Sequence, residues 1–119
     1  MASQVFPMQG NPRQIFVPYN GKIADITHAD TNKHTLDLAT ALSETRKIIA
    51  VQLGCARIAG TGYLKPYPNE GAGSNELPTF SGYGYNKVVI ANGTQRLQYA
   101  LSVANDDFDL YCYSYVVEA

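Results

Sequence analysis

Phe108-Asp109-Leu110-Tyr111-Cys112-Tyr113-Ser114-Tyr115-Val116-Val117 is the stretch on which the fold turns. Side chains alternate sides along a strand. Strict alternation puts Phe108, Leu110, Cys112, Ser114 and Val116 on one face, and Asp109, Tyr111, Tyr113, Tyr115 and Val117 on the other. A strand in a lone antiparallel sheet is apolar on one side only. This strand needs cover on both sides. The aliphatic face suits a core. The tyrosine face, with large apolar bodies and polar tips, suits a protein–protein contact.

The rest of the chain reads the same way. Residues 47–58 form the clearest further strand: Ile49, Val51, Leu53 and Cys55 share one face, and Ile48, Ala50, Gln52, Gly54 and Ala56 share the other. That second face is small enough for a neighbouring layer to approach closely. Residues 94–103 alternate, with Leu97, Tyr99, Leu101 and Val103 directed inward. Residues 14–17 form a short strand ending at Pro18, Asn20-Gly21 makes a two-residue hairpin turn, and 22–27 returns. Residues 35–38 are a strand, 39–45 are weakly helical, and 63–67 and 79–91 supply further strands. Gly60-Thr61-Gly62 and Asn92-Gly93 turn the chain, and 68–78 is a long Gly/Asn/Pro loop. No long segment has a helical period. The expectation is all-β: one antiparallel β-sandwich, jelly-roll-like or immunoglobulin-like, spanning 14–119, with a small closed barrel as the second choice.

Residues 1–13 carry two prolines and one glycine among Val5, Phe6 and Met8. They read as an extended N-terminal arm whose apolar residues seek cover on a neighbour or on the domain itself. The start has no basic cluster and no apolar run, so no secretion signal is expected.

The whole chain has 119 residues, enough for one core. Nine basic and ten acidic residues leave a formal charge of −1. No basic footprint for nucleic acid and no membrane-spanning stretch is visible. Charged residues make up 16% of the chain, against roughly a quarter in ordinary globular proteins. A chain this low in charge and this rich in tyrosine is expected to have much of its surface covered by partners.

Few groupings carry chemistry. His28 and His34, with Asp25 and Asp30, could in principle hold a divalent ion, but two loop histidines six apart are more simply solvated. Asp106, Asp107 and Asp109 lack calcium-loop spacing and read as a turn with Asx hydrogen bonds. There is no Gly-x-Ser-x-Gly, no placed carboxylate pair and no phosphate cradle. Cys55 and Cys112 fall on inward faces and read as buried thiols, a single bridge between neighbouring strands being the alternative. The expectation is a protein that is not an enzyme, with no metal and no cofactor.

A short chain without a signal, an apolar N-terminal arm, a compact β-sandwich and low charge together resemble the small capsid decoration, or cement, proteins of tailed viruses. The resemblance implies a non-enzymatic virion protein, made in the host cytoplasm, that stabilises a shell. It implies a homo-oligomer, a trimer being usual in such families, and contact with the major capsid protein through the arm. On this reading the interface residues are Val5, Phe6, Met8, Tyr111, Tyr113 and Tyr115, with no nucleic acid or membrane involved. A second resemblance covers about 48–115. Residues 60–68 (GTGYLKPYP), Pro78, Ser81 and Ala91-Asn92-Gly93-Thr94 are similar to a β-sandwich repeat of secreted bacterial wall-associated proteins. That family's secretion signal and closing aspartate–glycine–tyrosine stretch are missing here. The alternative function is a carbohydrate-binding, lectin-like module, since exposed tyrosines also stack on sugar rings.

Overall fold

The computed structural model describes residues 13–68, 85–89 and 95–119. Among the described residues, seven strands and one short helix run in the order β1 (Gln14–Thr27), β2 (His34–Asp37), α1 (Leu38–Leu42), β3 (Ile48–Ala59), β4 (Leu64–Tyr67), β5 (Tyr85–Val89), β6 (Arg96–Leu101) and β7 (Asp107–Glu118). They form two antiparallel sheets, one ordered β1-β7-β3-β5 and the other β2-β6-β4. The protein is an all-β sandwich. The arm residues Val5, Phe6 and Met8, the 68–78 loop beyond Pro68, and Asn92-Gly93 lie outside the described residues.

The two-sided strand lies inside the larger sheet, paired with β1 on one edge and β3 on the other. Its inner face meets the smaller sheet. Phe108, Leu110 and Cys112 pack there with Val51, Leu53 and Cys55 of β3 and with Leu64, Leu97 and Leu101 of the opposite sheet, all essentially excluded from water. Each such aliphatic or aromatic side chain contributes about 1.5–3 kcal/mol on burial.

Several local expectations are corrected. Asn20-Gly21 is not a hairpin turn. β1 runs unbroken from Gln14 to Thr27, and residues before and after Gly21 pair with the same strand, β7. Asn20 has φ 55°, so the left-handed tolerance that suits a turn is used in a bulge between Pro18 and Gly21. On β3, Ile48 faces inward where Ile49 was expected to, because the register shifts between Ile48 and Ala50. Val103 lies past the end of β6 and is 43% exposed.

The strand expected at 35–38 ends at Asp37. Asp37 instead caps α1, its Oδ1 accepting from Thr40 N at 3.3 Å. The helix lasts five residues and closes at Ser43, which is left-handed with φ 53°. This turn swings Leu38 and Leu42 into the core.

The turn at Gly60-Thr61-Gly62 is present and is clamped from across the fold. Gly60 has φ +104°. The buried Asp106 accepts from Gly62 N at 2.7 Å, and Arg57 donates to Gly62 O at 2.9 Å. Asp106 thus holds a turn other than its own, which strand alternation alone does not reveal. Gln95, also left-handed at φ 64°, lends its side-chain amide to the backbone N–H and carbonyl of Ile48, tying the start of β6 to the start of β3. Among the described residues, no helix is long and apolar enough to cross a membrane.

Candidate functional site

The tyrosine ladder does not survive as one face. Against β3, Ser114 pairs with Gln52 and Cys112 pairs with Leu53, which leaves Tyr113 as an extra residue on β7. A bulge of this kind reverses the parity of everything beyond it. Tyr111 and Tyr113 are half-buried on the outer face. Tyr115 is not with them. It pairs with Val51, lies in the core and is 5% exposed. Its place on the outer face is taken by Val116, which pairs with Phe16 of β1 and Ala50 of β3.

Tyr115 reaches a polar partner from inside. Its hydroxyl donates to Glu44 Oε1 at 2.8 Å. Glu44, just past the helix, also receives Arg46 Nε at 2.9 Å, Arg46 Nη2 at 3.0 Å and the Arg46 backbone N–H at 2.8 Å. Those Arg46 contacts, with help from Tyr115, hold the Glu44 carboxyl down to about 2 despite its burial. Burial first, and then the neighbouring carboxylate, push the Tyr115 hydroxyl up to about 12. Tyr115 is a core anchor, and Tyr19 packs edgewise near it with ring centroids 6.3 Å apart.

The outer face of the larger sheet divides into two zones. At one end, Phe16, Val116 and Ala50 sit side by side on three adjacent strands, and Phe16 is 66% exposed. Beside them Gln52 and Ser114 bond through their side chains at 3.3 Å. Together with Val51 and Tyr115, these residues line a concavity of about 200 Å³. At the other end, Lys22 bonds Asp25 at 2.8 Å and approaches Asp109 at 3.8 Å. Its ammonium group holds the Asp25 carboxyl below the usual range, while burial lifts that of Asp109. Tyr111 pairs with Lys22 and Gly54, and Asp109 with Asp25 and Ala56. The small face expected of β3 is therefore the floor of this surface.

The histidines are assembled in a way their spacing does not suggest. Pairing of β2 with β6 puts His34 opposite Tyr99. His28 and His34 stack with ring centroids 3.5 Å apart and planes 7° from parallel. His28 Nε2 bonds Tyr99 Oη at 3.0 Å, and His34 Nε2 bonds Asp30 Oδ1 at 2.8 Å. Nearby, the Lys33 ammonium lies 4.2 Å from the centroid of the Tyr67 ring. Burial, then the neighbouring His34, lowers the pKa of His28. The two rings are therefore not simply solvated, and Asp25 is across the sheet with Lys22, not with them. Among the described residues, no group of three His, Cys, Asp or Glu side chains is gathered tightly enough to hold a metal ion.

Both cysteines are buried, unbridged thiols on neighbouring strands. Burial pushes Cys55 up to about 12 and Cys112 up to about 11. A nucleophilic cysteine needs its thiolate, so these carry no covalent chemistry near neutral pH. The arrangement can present an apolar and aromatic surface with a charged margin. Sequence comparison finds no matching family model and no match among curated proteins.

Proposed function

We propose that this is a non-enzymatic structural protein of a virion, a capsid decoration or cement protein that self-associates and stabilises a shell. The observation that carries the reading is the outer face of the four-stranded sheet. It sets Phe16, Val116 and Ala50 in one row across three strands, with Tyr111 and Tyr113 half-buried on the same side. Contiguous apolar surface rimmed by polar groups marks an interaction site, and tyrosine and phenylalanine are enriched in such contacts. Low charge over the whole chain supports the same reading. The oligomer, a trimer by family resemblance, buries this face. The chain then binds the major shell protein through Val5, Phe6 and Met8.

Native mass spectrometry and sedimentation of the full chain test the proposal. A defined oligomer that Phe16→Ser or Tyr113→Ala weakens is the expected result, and the same samples should co-sediment with shells of the major capsid protein. A wild-type chain that stays monomeric at high concentration would overturn it. Specific glycan binding by that monomer would favour the lectin-like alternative.

A further inference from the structure

We propose that the stacked rings of His28 and His34 form an acid-released latch: when both are protonated, the loop 28–33 comes away from Tyr99 and from the turn at Asn105.

The latch is built where the two sheets are joined. Residues 28–33 connect β1 of the four-stranded sheet to β2 of the three-stranded one. The carbonyl of His28 accepts from Asn105 N at 2.7 Å, in the turn between β6 and β7. His28 Nε2 bonds Tyr99 Oη at 3.0 Å, on the middle strand of the smaller sheet. His34 opens β2, and its Nε2 bonds Asp30 Oδ1 at 2.8 Å, the same oxygen that accepts from Asn32 N at 3.0 Å. The imidazole stack, with 3.5 Å between centroids, ties the start of the loop to the residue that follows its end.

The geometry accommodates one proton and resists two. A proton on His34 faces the Asp30 carboxylate. A proton on His28 faces the Tyr99 hydroxyl, which can donate or accept but carries no charge. Two imidazolium rings stacked at 3.5 Å put like charges in contact. Tyr99 is 9% exposed, so little water reaches that end to screen them. Burial, then His34, disfavour the charged His28 ring, and Asp30 offsets them only in part.

Among the described residues, the other charged groups on the surrounding elements are placed elsewhere. On the loop, the Lys33 ammonium sits over the Tyr67 ring of β4. On β4, Lys65 pairs with Ala100, one step from the Pro66–Tyr99 pair and so on the other face. At the far end of β2, Asp37 caps α1 and pairs with Arg96 of β6. In the β6–β7 turn, Asp106 holds Gly62 N, and Asp107 sits between Thr27 and Ala59 in the larger sheet.

Acid therefore acts in two steps. The first proton has Asp30 as its counter-ion. The second enters below the ordinary histidine value of 6.5 and drives the rings apart. β1 and β2 keep their own ladders with β7 and β6, so the opening stays local to the loop. The latch is apart from the outer face of the larger sheet, and it stands or falls independently of the proposed assembly.

Nuclear magnetic resonance of the full chain tests it. The two histidine rings should titrate in separate steps about one pH unit or more apart, His28 last. Exchange protection of the Asn105 amide, corrected for the intrinsic rate, should fall about tenfold or more between about pH 8 and about pH 5. The core amide of Leu110 should keep its chemical shift over that range. His34→Phe leaves a flat ring in the stack and removes the second charge, so Asn105 protection should lose its pH dependence. An undiminished fall in His34→Phe would mean that burial of His28 acts alone, and it overturns the latch. Wild-type Asn105 protection that stays constant also overturns it, as do two histidines that titrate together. Should His34→Phe fail to fold, His34→Gln carries the same test with the same outcomes.

Discussion

Replacing Tyr115 by Phe and Tyr113 by Ala should give opposite results, although strict alternation would treat the two residues alike. Tyr115→Phe keeps the buried ring and deletes the hydroxyl that Glu44 Oε1 accepts at 2.8 Å. A hydrogen bond to a charged group contributes ~1.5–3 kcal/mol. Glu44 retains its Arg46 partners, so it is not left bare. Arg46 is well exposed, which screens that pair. The expected loss is therefore ~1–2 kcal/mol, or roughly 3–10 °C in Tm for a domain of this size. Tyr113→Ala removes a half-buried ring from the outer face and should cost less than ~1 kcal/mol in the isolated domain, while weakening assembly.

The Tyr115→Phe loss should also depend on acidity. Glu44 is held at about 2, against an ordinary value of 4.5. A depressed carboxyl stabilises the fold fully above the ordinary value, and that stability is lost as pH falls toward the folded one. The Tyr115→Phe penalty should thus be full at pH 7, persist through pH 4.5, and shrink only as pH approaches the folded value of about 2, where folded Glu44 takes up protons. Urea unfolding followed by far-ultraviolet circular dichroism at pH 7 and pH 2 measures both. A neutral Tyr115→Phe beside a destabilising Tyr113→Ala would mean that the bulge at Tyr113 is wrong and that the three tyrosines share a face after all.

Gly60→Ala should destabilise by well over ~1 kcal/mol, because a Cβ there would lie 1.9 Å from Asp106 Oδ1 at a φ of +104°. Thermal melting checks it, and an unchanged Tm would show that the turn is not clamped. The depressed pKa of His28, caused first by burial and then by His34, favours its neutral form in the folded state. Stability should therefore be full above the ordinary value of 6.5, fall as pH drops below it, and level off under the folded pKa. His28→Gln should flatten that part of a Tm-against-pH curve. Cys55 and Cys112, pushed up to about 12 and about 11, should resist thiol reagents at pH 7 until denaturant is added. Rapid labelling of the native protein would place them at the surface.

The sequence carries the inner face of β7 openly. Phe108, Leu110 and Cys112 alternate into the core, as a strand with an aliphatic face requires. What alternation cannot carry is a change of parity. One extra residue at Tyr113 moves Tyr115 from the contact surface to the core and brings Val116 out, with no glycine or proline in β7 to announce the break. Consecutive isoleucines at 48 and 49 hide a second shift, since either could face inward. Asn20 shows the same ambiguity in a local conformation. Its tolerance of positive φ serves a hairpin or a bulge equally well, and only pairing of both halves of β1 with β7 decides between them. The histidine stack depends on strand order, because His34 meets Tyr99 only when β2 pairs with β6.

These misses share one cause. Period and propensity report which faces a residue can occupy, whereas bulges and strand order decide which face it does occupy. The candidate surface is the product of that decision. Phe16 and Val116 become neighbours because the register before the bulge pairs them, and the small Ala50 flanks Val116 on the other side because the shift at Ile49 brings it opposite Val116. Without the bulge at Tyr113, Val116 would point into the sandwich and Tyr115 would take its place beside Phe16 and Ala50, so the outer surface exists in this form only because of one extra residue in β7.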